Sequence, residues 1–85
     1  NQHNYSIGIL RANYYQGKCN VELGHKERAI GNFKQTITEA SINKDLNFEL
    51  QANLEIGLIL RSNKDPDSFT YLSRARKLKQ ELELN

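Results

Sequence analysis

The residues best able to do chemistry in this chain are one cysteine and two histidines, because a thiolate or an imidazole can act as a nucleophile, a base or a metal ligand. Their spacing supports none of these roles. Cys19 and His25 are six positions apart across a predicted helix end, and His3 lies near the N-terminus. No pair has the Cys-x2-Cys or His-x3-His spacing of a metal site. We therefore predict no catalytic residues, no metal and no cofactor, and expect that the chain is not an enzyme.

Other chemically capable residues have structural interpretations. The five glycines are isolated, so they form no phosphate-binding loop. Asp65-Pro66-Asp67 is typical of a helix start, because the carboxylate of Asp65 can accept hydrogen bonds from free amides and proline fits the first helical position. Cys19 is the single cysteine, which excludes an internal disulfide. It is in phase with Gln16 and Leu23, so we predict a small core residue there. The alternative is a reactive thiol assisted by Lys18.

A basic run has two interpretations. Four cations occur within six residues, namely Arg74, Arg76, Lys77 and Lys79. They are expected to lie on a solvated helix face, where the helix dipole favours cations near the C-terminal end. The alternative is a patch that binds an anion, a nucleic acid or an acidic partner. Tyr71 is the one aromatic residue nearby, which argues against direct nucleic-acid binding. The formal charge of +2 is too small to imply a polyanion partner.

Helical periodicity predicts four helices that position these side chains. Apolar residues recur at spacings of three and four, and no segment shows the alternation typical of a strand. The predicted helices are Asn4–Leu23, Lys26–Asn43, Phe48–Ser62 and Pro66–Glu83. Gly24 is expected to end the first helix in a left-handed conformation, and Asp45 or Asn47 to cap the third. The sequence therefore predicts an all-α domain.

The periodicity also predicts which helix faces are buried. The first helix carries two apolar stripes, which indicates that it is covered on two sides: Tyr5, Ile9, Ala12, Gln16, Cys19 and Leu23, and beside them Ile7, Leu10, Tyr14 and Val21. The second helix is expected to bury Ala29, Ile30, Phe33, Ile37, Ala40 and Ile42. The third helix is expected to bury Phe48, Ala52, Ile56, Ile59 and Leu60. The fourth is expected to bury Phe69, Leu72, Ala75, either Leu78 or Lys79, and Leu82. Gly31, inside the second helix, predicts a close helix contact.

A pattern of small and large residues occurs twice, with an offset of 40 positions between its glycines. The copies are Gln16-Gly17-x-x-Asn20 with Ala29-x-x-x-Phe33, and Ile56-Gly57-x-x-Leu60 with Ser68-x-x-x-Leu72. A period of about 20 to 50 residues is typical of a solenoid. In each copy the glycine is expected to let the two helices of a hairpin approach closely.

This pattern resembles the tetratricopeptide repeat (TPR), whose signature is Trp-x2-Leu-Gly-x2-Tyr followed by Ala-x3-Phe. Ala29-x-x-x-Phe33 is an intact match, whereas Asn13 and Asn20 stand at the tryptophan and tyrosine positions. The period is about six residues longer than the common one, as in the longer-period TPR arrays. The resemblance implies two TPR-like helical hairpins of antiparallel helices, at about residues 4–43 and 47–83. Residues 1–85 would then be one segment of an α-solenoid within a longer protein.

The resemblance also implies a site, because the first helix of each TPR hairpin lines a concave groove that receives a peptide. Carried over to this chain, the groove residues are Arg11, Tyr14, Tyr15, Lys18, Glu22, Gln51, Leu54, Glu55, Leu58 and Arg61. Tyr14 and Tyr15 point about 100° apart on a helix, so at least one of them is expected to leave the main buried stripe. The alternative is that Tyr14 packs against a neighbouring helix.

The expected function is that of a non-catalytic scaffold that binds a protein or peptide within a larger regulatory, signalling or assembly protein. One alternative is a structural segment that self-associates through the open end of the last helix, where Leu78, Leu82 and Leu84 have nothing after them to cover them. Another is the repeat domain of a peptide-sensing transcriptional regulator. The longest apolar run, Ile56–Leu60, is too short for a membrane span, and no signal peptide is visible. We therefore expect a cytoplasmic protein without a membrane partner.

Overall fold

The chain folds into four α-helices in a computed structural model, which describes the backbone of residues 2–84 and the side chains of residues 8–84. The helices are α1 (Gln2–Glu22), α2 (Lys26–Asn43), α3 (Leu46–Ser62) and α4 (Ser68–Leu84). Residues 2–84 contain no strand. The all-α prediction is confirmed, and each predicted helix boundary agrees within two residues.

The turns between helices follow from local hydrogen bonding. Gly24 has a φ of 79°, as expected for the residue that ends α1. The carboxylate of Asp45 accepts a hydrogen bond from the amide of Phe48 at 3.1 Å, so Asp45 rather than Asn47 caps α3. Asp65 caps the amide of Asp67 at 2.9 Å. Pro66 lies in that turn instead of at the first helical position, because α4 begins only at Ser68.

Each helix packs against the next, so the molecule consists of hairpin 1 (α1 and α2) and hairpin 2 (α3 and α4), joined through α2 and α3. The central apolar cluster combines residues of α2 and α3: Ala29, Phe33, Ala52, Ile56 and Ile59. Tyr14, Ile30, Ile37, Leu60 and Tyr71 pack around it. Helix α3 is therefore shared, because it pairs with α4 and also covers hairpin 1.

The repeated glycines make the predicted close contacts. A Cβ atom on Gly17 would lie 2.6 Å from the ring of Phe33, and one on Gly57 would lie 2.6 Å from the side chain of Leu72. Both distances are shorter than a carbon–carbon contact allows, so a side chain at either position would have to displace the residue that it meets. The expected contact at Gly31 is wrong, because nothing lies within 4 Å of a Cβ atom built there.

The first of the two predicted stripes of α1, which runs from Tyr5 to Leu23, is wrong at most of the positions whose side chains the structure describes. Ala12, Gln16, Cys19 and Leu23 are all exposed, whereas Leu10 and Gly17 are buried. The reason is that α1 packs mainly against α2, and no helix within residues 2–84 covers the side of α1 that carries these four residues. The positions of Tyr5 and Ile7 in the stripes, and that of His3, lie outside the described side chains.

Four other residues expected to be buried are exposed: Val21 at 38%, Ile42 at 68%, Phe69 at 77% and Leu82 at 38%. Ile42 lies about 200° around α2 from buried Ala40, and Phe69 lies about 120° around α4 from buried Ala75. Leu82 is in phase but near the end of α4. Leu78, expected at the uncovered end, is buried.

Candidate functional site

An open groove with a volume of about 410 Å³ lies between α3 and α4. We name it the α3–α4 groove and define it by its lining residues, which are Leu50, Leu54, Arg61, Leu72, Ala75, Arg76 and Lys79. Four of these are apolar and buried or half-buried, and the three cations are exposed at the edges. None of the seven is acidic. The groove therefore combines an apolar floor with a positively charged rim.

Helical spacing explains how these residues come together. Leu50, Leu54 and Arg61 recur at intervals of four and seven residues, so they lie along one face of α3. Leu72, Arg76 and Lys79 recur at intervals of four and three residues and lie along one face of α4. The two faces meet because the missing side chain at Gly57 admits Leu72. The same contact that pairs the helices thus brings the floor of the groove together.

The groove unites residues that the sequence places in two separate predicted sites. Leu54 and Arg61 belong to the predicted peptide groove, whereas Arg76 and Lys79 belong to the predicted anion patch. The other half of the basic run is outside the lining. Arg74 lies over the ring of Tyr71, 5.8 Å from its centroid, and Lys77 is exposed.

Sequence reasoning missed Leu50, and it assigned Leu72 and Ala75 only to the core. The signal for all three was their helical phase. Leu50 precedes Leu54 by four residues, and Leu72 precedes Arg76 by four. What the sequence did not supply was the register between the two helices, which decides whether these faces adjoin.

The remaining predicted peptide-groove residues lie on α1 and α3, where a salt bridge links the helices. The Nζ atom of Lys18 donates to Oε2 of Glu55 at 2.9 Å. This hydrogen bond, together with the charge of the carboxylate, raises the pKa of Lys18. Because each charge has an internal partner, the pair is less available to a ligand than the cations of the α3–α4 groove.

Tyr14 packs between helices, as the alternative interpretation of the tyrosine pair states. Its ring centroid is 5.7 Å from that of Phe33 and 5.4 Å from that of Phe48, both in edge-on geometry. Burial, reinforced by the charge of Glu55, raises the pKa of Tyr14. Its neighbour Tyr15 is 60% exposed and meets Tyr14 edge-on at 5.3 Å.

The other predicted peptide-groove residues on α1 and α3 differ in solvent exposure. Arg11 and Glu22 are exposed and Gln51 is half-buried, while Leu58 is 39% exposed. Tyr15 and Leu58 are thus the apolar side chains that this face offers to a partner. This is a smaller apolar contribution than the four-residue floor of the α3–α4 groove.

A polar seam joins α1 to α2 at two positions of the repeated pattern. Asn20 donates to Oδ1 of Asn32 at 2.7 Å, and Asn32 donates to Oε1 of Gln16 at 3.3 Å. The seam gives a structural reason for amides at positions 16 and 20, where the TPR signature has leucine and tyrosine. These residues hold the hairpin together and are not candidates for the site.

The chemically capable residues are dispersed. Cys19 is exposed on α1, and His25 is exposed in the turn before α2. Within the part of the chain that the structure describes, no three His, Cys, Asp or Glu residues are grouped so that they could hold a metal ion. Among the same residues, no helix has the length and apolar character needed to cross a membrane.

Comparison of the chain with protein-family models, with curated proteins and with solved structures found no match. The TPR resemblance therefore stays a prediction that rests on the two-copy pattern and its glycine contacts. Function has to be argued from the α3–α4 groove itself.

Proposed function

We propose that this chain is a non-catalytic protein-binding module of the helical-repeat type, and that its α3–α4 groove holds a segment of another polypeptide. The observation that carries the proposal is the combination of an apolar floor with three cations and no acid in one groove of about 410 Å³. Binding sites typically join apolar surface with a few polar groups that fix orientation, in volumes of about 300 to 1,000 Å³.

The composition of the groove favours a polypeptide over a nucleic acid. Leucines and an alanine form its floor, and no aromatic residue is in its lining. Single-stranded nucleic acids are held mainly by aromatic rings that stack on bases, whereas apolar side chains of a peptide bury well against leucine. Arg61, Arg76 and Lys79 then add charge-assisted contacts.

In its biological setting, such a module would serve as the interaction segment of a larger regulatory, signalling or assembly protein. The TPR resemblance supports this setting, since arrays of that family bind peptides. A peptide-sensing regulator is one protein of this kind. The proposal of a cytoplasmic location has the same basis and the single free cysteine, Cys19.

Self-association is a second candidate function, and a specific observation favours it. Leu82 and Leu84 are 38% and 86% exposed near the end of α4. Leucines so placed can be buried against a second copy. Sedimentation velocity over a wide range of protein concentrations tests this directly, because a monomer at every concentration contradicts it.

Selection of random displayed peptides on the immobilised 85-residue chain tests the binding function. The groove variant is Leu54→Arg, which places a long cationic side chain in the floor. The matched control is Leu58→Arg, the same substitution one turn later on α3 and outside the groove lining. We expect peptides that bind the unaltered chain and the control but not the groove variant.

Circular dichroism establishes that both variants are folded before binding is compared. Absence of any enriched peptide contradicts the proposed function. Peptides that bind the Leu54→Arg chain as well as the unaltered one contradict the α3–α4 groove as the site. Selective loss in Leu58→Arg instead moves the site to the face formed by α1 and α3.

A further inference from the structure

The α3–α4 groove corresponds, position by position, to a surface of hairpin 1. The offset of 40 residues in the first helix of each hairpin, and 39 in the second, relates the two. The corresponding pairs are Leu50 with Leu10, Leu54 with Tyr14, Arg61 with Val21, Leu72 with Phe33, Ala75 with Thr36, Arg76 with Ile37 and Lys79 with Ala40. In hairpin 1, Leu10, Phe33, Thr36 and Ala40 are fully buried.

Helix α3 is what covers that surface in hairpin 1. Ala52, Ile56 and Ile59 of α3 share the central apolar cluster with Phe33, and Phe48 meets Tyr14 edge-on. The four α3 residues are spaced by four, four and three positions, which is the stripe of an amphipathic helix. A surface of this shape is therefore matched by a helix with such a stripe. Hairpin 2 carries the same kind of surface, and no helix within residues 2–84 lies on it.

The charges differ between the two surfaces and indicate what the missing helix must carry. Where hairpin 1 has Ile37 and Ala40, hairpin 2 has Arg76 and Lys79, and Arg61 stands in place of Val21. A helix seated there meets cations at the edges of its apolar stripe, and carboxylates at those edges would pair with them. Within this chain, the docked helix α3 already pairs Glu55 with Lys18 of the receiving hairpin at 2.9 Å.

A second copy of this chain fits the groove poorly. In a two-fold contact the same surface faces itself, so Arg61, Arg76 and Lys79 would oppose their own copies. Like charges brought together out of water repel each other. The exposed residues of α1 include both the cation Arg11 and the acid Glu22, so α1 of a second copy offers no row of carboxylates to the three cations.

We infer that the occupant of the α3–α4 groove is an acidic amphipathic helix of another polypeptide, seated on hairpin 2 as α3 is seated on hairpin 1. The inference rests on the proposed function and specifies its partner class. Leu50, Leu54, Leu72 and Ala75 receive the apolar stripe. Arg61, Arg76 and Lys79 bind the carboxylates along its edges.

Fluorescence anisotropy with a designed peptide tests this inference. The probe is a hydrocarbon-stapled helix of about five turns, with leucines spaced by four, four and three residues and glutamates along both edges of the stripe. One control peptide has lysine for every glutamate. A second has the same composition with the leucines distributed around the helix. We expect the dissociation constant of the probe to be lower than that of either control peptide by about tenfold or more.

Two variants of equal charge locate the contact on α4. Arg76→Gln with Lys79→Gln removes two cations from the groove, and Arg74→Gln with Lys77→Gln removes two cations of the same run from outside the lining. We expect the first pair to weaken probe binding about tenfold or more, and the second pair to change it less than about twofold. Added salt should weaken binding to the unaltered chain more than binding to the groove variant.

Several outcomes overturn the inference. Equal loss in both variants indicates general attraction to α4, and equal binding of the lysine peptide removes the requirement for acid. A dimer in sedimentation that Arg76→Gln with Lys79→Gln dissociates makes a second copy the occupant. If the 85-residue chain binds the probe but a longer natural chain that contains it does not, the occupant is a segment of the same polypeptide.

The two proposals fail separately. If the probe does not bind but random selection yields peptides that require Leu54, the partner class is wrong and the binding function stands. If selection also yields no peptide, both are wrong. Single substitutions, Arg76→Gln and Lys79→Gln, replace the double variant if circular dichroism shows that it is unfolded.

Discussion

Each hairpin of this molecule contains the same type of glycine contact between its two helices, but the two contacts have different surroundings. Gly17 admits Phe33 and Gly57 admits Leu72, with the same closest approach of 2.6 Å to a Cβ atom built on each glycine. Phe33 is fully buried because α3 covers hairpin 1, whereas Leu72 is half-buried and lines the open groove. The repeat therefore specifies how two helices pair, while the next element decides how deeply that pair is buried.

The seams inside the hairpins differ as well. Hairpin 1 is joined by the amides of Gln16, Asn20 and Asn32. The matching positions of hairpin 2 are Ile56, Leu60 and Tyr71, which belong to the apolar cluster or pack against it. The same backbone approach thus accepts a hydrogen-bonded seam or an apolar one. The glycine determines the distance between the two helices. The seam residues then only have to complement one another, either by hydrogen bonding or by apolar contact.

The largest expected difference between the hairpins is the cost of removing the large residue of each pair. Phe33→Ala should lower the free energy of unfolding by about 3–5 kcal/mol, the usual range for a buried phenylalanine. Leu72→Ala should lower it by about 1–2 kcal/mol, because part of that side chain already contacts solvent. Urea denaturation followed by circular dichroism measures both values. Equal values would mean that α3 does not protect hairpin 1 as the structure indicates.

Alanine at the glycines should separate contact positions from an open one. Gly17→Ala is expected to lower the free energy of unfolding by about 1–3 kcal/mol, because Phe33 is enclosed and has no space to move. Gly57→Ala should have a smaller effect, since Leu72 can turn towards the groove. Gly31→Ala is the control: it meets no atom within 4 Å and should raise stability by about 0.5–1 kcal/mol through its helix propensity.

Thermal denaturation of the three alanine variants orders them, since about 1 kcal/mol shifts the midpoint by about 4–8 °C in a domain of this size. A stabilising effect of Gly17→Ala would contradict the close contact in hairpin 1. A larger loss for Gly57→Ala than for Gly17→Ala would contradict the contrast between an enclosed and an open pair.

Exchanging one seam for the other tests whether they are equivalent. Asn32→Ala leaves the amides of Gln16 and Asn20 without their partner and should lower stability by about 1 kcal/mol. The triple variant Gln16→Ile, Asn20→Leu and Asn32→Tyr gives hairpin 1 the seam of hairpin 2, and its stability should be close to that of the unaltered chain. A triple variant less stable than Asn32→Ala would mean that the seam is specific to its hairpin.

The sequence predicted the features that depend on local signals. Gly24 and Asp45 mark helix ends by their own conformation and hydrogen bonding, and a 40-residue offset identified Gly17 and Gly57. Prediction from the sequence failed where a neighbouring helix determines whether a residue is buried. Cys19 has the phase of a core residue but is exposed, because none of the four described helices covers that side of α1.

The candidate site was predicted less well than the fold, for the same reason. Leu54 and Arg61 were chosen from one helix, and Arg76 and Lys79 from another, as parts of different sites. Their meeting in one groove depends on the register of α3 against α4, which periodicity within a single helix does not contain. The pairing of Lys18 with Glu55, 37 residues apart, is equally a product of the tertiary structure.

The smallest expected effect concerns the cations of the two hairpins. Lys18 has an internal partner in Glu55, whereas Arg76 and Lys79 form no salt bridge within the described residues. A double-mutant cycle with Lys18→Ala and Glu55→Gln should give a coupling free energy of about 0.2–1 kcal/mol, because the lysine side chain is 49% exposed. The substitutions Arg76→Gln and Lys79→Gln, which remove the charge, should each alter the free energy of unfolding by less than about 0.5 kcal/mol.

The raised pKa of Lys18 predicts the direction in which the coupling free energy changes with pH. Glu55 raises the pKa of Lys18 in the folded chain, so the folded state holds the lysine proton more tightly than the unfolded state. The contribution is therefore complete below the pKa of the unfolded lysine, about 10.4, and is lost as the pH rises through the folded value. The coupling should be the same at pH 7 and pH 9 and smaller at pH 11, and molar salt should reduce it at all three. A coupling that persists at pH 11 would mean that the two side chains interact through packing of the lysine stem rather than through charge, and the contrast with the groove cations would no longer hold.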